Sequence, residues 1–351
     1  MVLVVHAANF GLRMKGAFLN NVERKLSNGL VRNGHYVFDF SDRDAAKAGS
    51  LMGPHRFGGR RYANETLRTL CRDIQPQVLI LGQTDIILAE TVGAIRADLP
   101  SLRVLQWTVD PLEEPGNVER LERNMPVVDA SLITTAGDDL APLSRPGKRL
   151  GFMPNPVDFS IERGLNHLKS DLPFDLFYAC GNPSTLRKVC GRDWRMDNFM
   201  RALLAALPKL RPQLAGLLGR KGLGGAAYQA ALESAAIGLN ISRRNDQLLY
   251  SSDRLAHLAG NGLAVVIERS TGYDQLFSED QMAFYSSFEE LVGVIGRLSR
   301  EPERRMSIAA AGRARYHDLF NERRVAQYVL DVALDRLDPA AYPWPTLYAP
   351  A

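Results

Sequence analysis

Cysteine is scarce: Cys71, Cys180 and Cys190 are the only three in 351 residues. An odd number without a CxxC pair excludes a disulfide framework, and six scattered histidines without HExxH or Cys/His spacing leave no zinc signature. No stretch approaches the 18 apolar residues that a membrane-spanning helix needs. The opening run MVLVVHAANF is short and lacks a basic lead, so it reads as a first buried strand rather than a signal peptide, and a reducing cytoplasm is the simplest setting. GxSxG, GxxxxGK[ST] and GxGxxG are all missing, which argues against a serine hydrolase, a P-loop triphosphatase and a dinucleotide-binding fingerprint. Charge of one sign is also in short supply. A net +4 with pI about 9.0 lacks the dense basic patch with interleaved aromatics expected of a nucleic-acid binder. It suits an anionic substrate, a peripheral contact with an anionic membrane surface, or plain solubility.

What remains is an ordinary globular composition, 46% apolar and 23% charged, in a chain long enough for two domains. Strand-like and helix-like runs alternate along it. Val2 to Val5 leads into a loop with Gly11 and Gly16, then a helix with Phe18, Val22, Leu26 and Leu30 on one face, then YVFDF. Residues 41–60 are polar, basic and glycine-rich and read as a loop. VLILG at 78–82, RVLQWTVD at 103–110 and DASLITTAG at 129–137 read as further strands, with helices over 61–75, 86–98 and 117–125. This is a mostly parallel α/β layout. A proline-rich connector, GFMPNPVDFS at 151–160, precedes a second set: FDLFYACG, AIGLNIS, LAVVIE and MAFYSS as strands, with helices over 194–207, 226–236, 288–299, 301–316 and 321–336. The tail YPWPTLYAP reads as an extended strap. The chain divides by this reading into 1–165, 166–330 and a helix end with tail, 331–351.

The second set is organised around residues 250–277. A helical run breaks at Gly260-Asn261-Gly262 and gives way to an apolar strand and a second glycine turn. A continuous apolar strand bounded by glycines is buried on both faces, and in open sheets of this kind ligands bind beyond the carboxyl ends of strands.

The order of elements resembles a GT-B glycosyltransferase of group 1, family 4-like, and within it the spore-coat-protein-like transferases. MPNPVD at 153–158 resembles the connector, RLAHLAGNGLAVVIE at 254–268 the donor-site helix and strand, and EPERRMSIAAAGRARYHDLFNERRVAQYV at 301–329 the terminal helices. The likeness covers most of 150–330 and reaches 1–150 only through layout. It implies two Rossmann-like domains facing a cleft, with the last helix crossing back to the first domain. It also implies a nucleotide-diphosphate sugar as donor substrate on the second domain, and a glycan, glycolipid or protein acceptor on the first. Transfer would proceed with retention and without a metal or other cofactor, and bacterial surface glycan, lipopolysaccharide or other glycoconjugate assembly is the implied setting.

Arg243 and Arg244 follow a strand end, where two guanidiniums would clamp a diphosphate and stabilise the departing nucleotide; an exposed basic turn is the alternative. Ser251, Ser252 and Arg254 open the next helix, where free N–H groups favour a phosphate, although serine also serves there as a plain cap. Tyr250 could stack on a base or sugar, or pack in the core. Asp110 ends a strand beside Trp107 and would bind the acceptor hydroxyl or act as a base, or else cap its turn. His6, in the first strand, is a further catalytic candidate beside the commoner reading of a core histidine. The resemblance adds Asn9, Gly11 and Lys15 near the donor phosphates and acceptor, and Gly181 and Arg187, with Lys221, as another phosphate region. It places Gly272, Tyr273 and Asp274 beside the donor sugar. His257 stands where the family has a glutamate for the donor ribose, a departure in chemistry because a neutral imidazole is not an anion. A nucleotide-sugar epimerase of the same fold and a non-catalytic nucleotide-sugar-binding module are the competing readings.

Overall fold

The computed structural model describes residues 1–12, 16, 19–50 and 58–349. Phe18, expected on the first helix, lies outside them. The chain forms two compact units, Met1–Pro154 with Glu322–Ala351, and Asn155–Asn321. The division falls between the connector's two prolines, Pro154 and Pro156, ahead of the expected 165/166, and residues 322–330 go with the first unit rather than the second.

The first unit holds β1 (Leu3–Ala8), α1 (Val22–Arg32), β2 (Tyr36–Ser41), α2 (Asp42–Ala48), α3 (Gly59–Ile74), β3 (Val78–Gly82), α4 (Ala89–Asp98), β4 (Arg103–Thr108), α5 (Pro115–Asn124), β5 (Ala130–Ile133) and β6 (Arg149–Phe152). Its six strands run parallel in the order β2-β1-β3-β4-β5-β6. β3 is buried at every residue, as its unbroken apolar sequence requires when both faces are covered. β2 lies at the edge, with Tyr36 and Phe38 exposed. Asn21 caps α1 by accepting from the Arg24 N–H at 3.3 Å.

Part of the region expected as a loop over 41–60 is helical. α2 forms because its first residue is anchored: the buried Asp42 accepts from Thr84 and from the Arg43 N–H at 2.7 Å. That tie to a residue 42 positions away has no local sequence signature. β6 was also not expected. The tail explains it, because the Phe152 N–H donates to Thr346 O at 2.9 Å and the Tyr348 N–H to Leu150 O at 2.7 Å, so the strap extends the sheet edge.

The second unit holds β7 (Phe174–Ala179), the antiparallel hairpin β8 (Leu186–Val189) and β9 (Arg192–Arg195), α6 (Met196–Ala206), β10 (Pro212–Ala215), α7 (Gly225–Glu233), β11 (Ala235–Asn240), α8 (Arg254–Gly260), β12 (Ala264–Glu268), β13 (Ala283–Tyr285), α9 (Phe288–Arg300) and α10 (Pro302–Phe320). Its main sheet is parallel, ordered β10-β7-β11-β12-β13. Gly238 on β11 lets α8 approach, since a Cβ there would lie 2.7 Å from a Leu258 methyl. The hairpin turns at Cys190 and Gly191, both at positive φ (50° and 72°), the conformation that two-residue hairpin loops demand.

The last helix, α11 (Glu322–Ala333), returns to the first unit and packs on α1. Arg32 pairs with the buried Glu322 at 2.6 Å. Two parallel sheets flanked by helices, with the terminal helix on the first unit, fulfil the expected fold class.

Candidate functional site

At the carboxyl ends of β7 and β11, the second unit gathers charge without counter-charge. Arg187, on β8, is 7% exposed. Its Nη2 donates to the Cys180 thiol at 3.2 Å, and its buried Nε has no hydrogen-bond partner. Arg254, the first residue of α8, donates from Nη1 to Ile241 O at 2.9 Å and stands 5.1 Å from the Tyr178 ring centroid. Tyr178 is fully buried, and that burial pushes its phenol above the ordinary range despite the nearby Arg187 and Arg254, so it stays neutral. Among the described residues neither guanidinium has a carboxylate partner. A buried, under-satisfied arginine is costly, and an anion of bidentate shape is what would complete it.

Nearby polar groups share that incompleteness. Asn240 ends β11 fully buried with neither side-chain atom bonded, and the Ser252 hydroxyl is buried and unbonded. The Ser252 N–H donates to the Ser242 hydroxyl at 3.0 Å. Glu268, at the end of β12, accepts from the Cys190 N–H at 2.9 Å and from the Ser270 hydroxyl at 2.7 Å, while its Oε2 is unbonded. Burial raises its carboxyl pKa above the ordinary value. Sequence reasoning missed Asn240, Ser242 and Glu268; a polar residue closing each apolar strand was the available signal.

Several expected contacts are held by the fold instead. Arg244 makes a bidentate pair with Asp246, at 2.6 and 2.7 Å, and Lys188 adds to it at 3.3 Å. These cations hold the Asp246 carboxyl down at about 2, Arg244 foremost. Arg243 is half-buried, and its carbonyl accepts from the Lys188 N–H at 3.1 Å. Ser251 is fully buried: its hydroxyl meets Tyr273 Oη at 3.0 Å and its carbonyl accepts from Asn155 at 3.0 Å. Tyr273 donates onward to Leu249 O at 2.9 Å. Gly272 makes this turn at φ 74°. Asp274 is exposed and pairs with Arg269 at 3.3 Å. Tyr250 is buried beside Arg187. Gly181 is exposed on the β7–β8 loop, and Lys221 is exposed on the loop after β10, its carbonyl accepting from Gly216 at 3.1 Å.

His257 faces α7. Its Nδ1 lies 3.1 Å from the Tyr228 hydroxyl, and the two rings meet edge to face at 5.6 Å. Its Nε2 is 4.0 Å from the carboxylates of both Glu162 and Asp253. The fully buried Glu162, just after the connector, thus brings a carboxylate near His257, which reading α8 alone does not reveal.

In the first unit, His6 is fully buried. Trp107 donates to its Nε2 at 3.3 Å, so Nδ1 carries the proton toward the Ser27 hydroxyl at 2.9 Å, which donates to Asp39 at 2.6 Å. Burial, the largest cause, lowers its pKa to about 4. Both ring nitrogens are thus committed to the core. Asn9 accepts on its carbonyl from Asn21 at 3.3 Å, Gly11 takes φ 67°, and Lys15 lies outside the described residues. Asp110 pairs with Arg120, and its N–H donates to the Thr108 hydroxyl at 3.2 Å. Beside that pair, at the carboxyl ends of β3 and β4, is a cavity of about 10 Å³ lined by Gln83, Thr84, Gln106, Thr108, Arg120 and Asn124 among others, room for about one water.

Among the described residues no group of three or more His, Cys, Asp or Glu is placed to hold a metal ion, and no helix is long and apolar enough to cross a membrane.

Comparison with known proteins fits this architecture. The family model described as "Glycosyl transferase-like" matches residues 189–331. No curated protein matches the sequence. Among solved structures, AviGT4, a glycosyltransferase involved in avilamycin A biosynthesis, is similar at 15% identity and TM-score 0.57, covering 95% of this chain and 97% of its own. Anabaena Alr3699/HepE, solved with UDP-glucose, is similar at 11% identity and TM-score 0.60, with coverage of 96% and 100%. A UDP-N-acetylglucosamine 2-epimerase is similar at 11% identity and TM-score 0.50, with coverage of 94% and 95%. At such identities the likeness is one of fold, and that fold is GT-B.

Proposed function

We propose that this chain is a glycosyltransferase that moves a sugar from a nucleotide-diphosphate donor to an acceptor hydroxyl, with retention and without a metal. The observation that carries the reading is the buried Arg187, with an unbonded Nε and no carboxylate partner among the described residues, beside Arg254 at the carboxyl ends of β7 and β11. A diphosphate supplies the missing charge, and the two guanidiniums stabilise it further as the sugar–phosphate bond breaks and negative charge builds on the leaving nucleotide. Ser252 and Asn240 offer further hydrogen bonds there. His257, backed by Glu162 and Tyr228, takes the ribose side of the donor. Arg244 and Arg243 shape the rim, with Arg244's fork occupied by Asp246. Asp110, held by Arg120 in the first unit, orients the acceptor hydroxyl. The implied setting is cytoplasmic assembly of a surface glycan or glycoconjugate, with the mild positive charge suiting a peripheral membrane contact.

A second reading, epimerisation of a nucleotide sugar, is favoured by the likeness to the 2-epimerase fold and by the buried Glu268, whose carboxyl burial pushes above the ordinary range. Incubation with a panel of nucleotide sugars, with and without acceptors, separates the two. The proposal expects release of nucleoside diphosphate that depends on acceptor, with the anomeric proton of the product matching the donor's configuration by NMR. Epimerised donor in the absence of any acceptor contradicts it.

A further inference from the structure

Arg187 is carried on a hairpin that cannot hold itself in place. β8 and β9 are four residues each and pair only with one another, and an isolated two-stranded ribbon is marginal in water. Its place comes from bonds to the rest of the unit. On β8, the Lys188 N–H donates to Arg243 O at 3.1 Å, and Lys188 O accepts from Asn245 Nδ2 at 2.7 Å. Val189 is buried in the core, and Trp194 stacks on Phe288 at 5.9 Å. At the tip, the turn residue Cys190 donates its N–H to Glu268 Oε1 at 2.9 Å. Attachment at Lys188 and at Cys190 together fixes the direction of β8, and with it the aim of Arg187; attachment at Lys188 alone would leave the ribbon free to tilt.

Glu268 is a costly residue to bury there. It closes the apolar strand AVVIE, is 4% exposed, and pairs with no cation among the described residues. A buried carboxylate needs hydrogen bonds to offset its lost hydration, and Oε1 has two, from the Cys190 N–H and from the Ser270 hydroxyl at 2.7 Å. The same hydroxyl lies 2.7 Å from Asn245 O, and the Asn245 side chain accepts from the Ser242 N–H at 3.1 Å. One carboxylate oxygen thus ties the hairpin tip to the loop that carries Ser242. The other, Oε2, is buried without a hydrogen bond among the described residues.

We propose that Glu268 is a positioning residue of the donor site: through Oε1 it pins the Cys190 turn and so holds Arg187 where a nucleoside diphosphate meets it. The inference rests on the donor-site reading of Arg187. It assigns the role to an acceptor oxygen rather than to the charge. Glutamine supplies the same oxygen, and its amide nitrogen takes the place of an oxygen with no bond to lose. Methionine fills a similar volume but leaves the Cys190 N–H without an acceptor.

The test is calorimetric titration of the full chain with the diphosphates of uridine, thymidine, cytidine, adenosine and guanosine, paired with hydrogen exchange over residues 186–195. Glu268→Met weakens binding of the preferred nucleotide by about fivefold or more and speeds exchange across the hairpin. Glu268→Gln stays within about twofold of the parent in affinity and keeps the hairpin protected. In an Arg187→Gln background, Glu268→Met changes affinity by less than about twofold, because a residue acting through Arg187 has nothing further to lose. Where Glu268→Met does not fold, Glu268→Ala takes its place. An unchanged affinity in Glu268→Met, a Glu268→Gln as weak as Glu268→Met, or the same further loss in the Arg187→Gln background overturns the inference; the second of these assigns the carboxylate to the ligand itself. Failure of the parent to bind any of the five overturns the transferase reading instead. Hydrogen exchange then decides the pin by itself, and a hairpin equally protected in the parent and in Glu268→Met overturns it.

Discussion

Single residues separate groups whose hydrogen bonds the fold completes from groups it leaves open. His6 belongs to the first kind. Its pKa falls from 6.5 to about 4 on folding, so between those values the unfolded chain binds a proton that the folded chain does not. Stability is therefore lost as pH falls through that window, by about 3 kcal/mol in all. His6→Gln removes this term. Urea unfolding at pH 7 and pH 4.5 should show the parent losing about 2–3 kcal/mol more than the variant on acidification; equal losses would show that the imidazole protonates as freely in the folded chain. Arg187 belongs to the second kind, because its buried Nε has no hydrogen-bond partner among the described residues. The resemblance points to Arg187 in the sequence, and its phosphate role is a proposal. Its burial was not legible there, since that depends on the β8–β9 hairpin, whose Cys190-Gly191 turn carries no Asn-Gly or Asp-Gly signal.

Elements were more legible than their attachments. VLILG and AVVIE are strands because unbroken apolar runs can only be buried on both faces, and those runs are visible in one dimension. α2 and β6 were not, since each depends on a distant partner: Thr84 for the first, the tail for the second. α11 was legible as a helix over 321–336, and the resemblance implied its return to the first unit; its close docking there uses a glycine on another helix. A Cβ at Gly29 would lie 2.0 Å from Glu322 O and 2.7 Å from Ala326 Cβ. Gly29→Ala should therefore force the two helices apart and cost about 1–3 kcal/mol, despite alanine's better helix propensity. Thermal melting should show a lowered midpoint, with hydrogen exchange fastest over residues 322–333. A raised midpoint would mean that α11 does not pack on α1 as described.

On the scale of the whole molecule, the two units carry different chemistries. The second holds buried cation and unbonded polar groups at the ends of β7, β11 and β12; the first holds an acid–arginine pair at the ends of β3 and β4. The repeated α/β layout announced both sheets, and general topology places ligands at such ends. Which arginines remain available depended on side-chain pairing: among the described residues Arg244 is engaged by Asp246 and Arg187 by no acid. The most direct measurement is the calorimetric affinity for UDP and other nucleoside diphosphates of the parent, Arg187→Gln and Arg244→Ala. Arg187→Gln should bind at least about tenfold more weakly, a loss of roughly 1.4 kcal/mol or more, with Arg244→Ala within about threefold of the parent. Undiminished binding by Arg187→Gln would contradict the account.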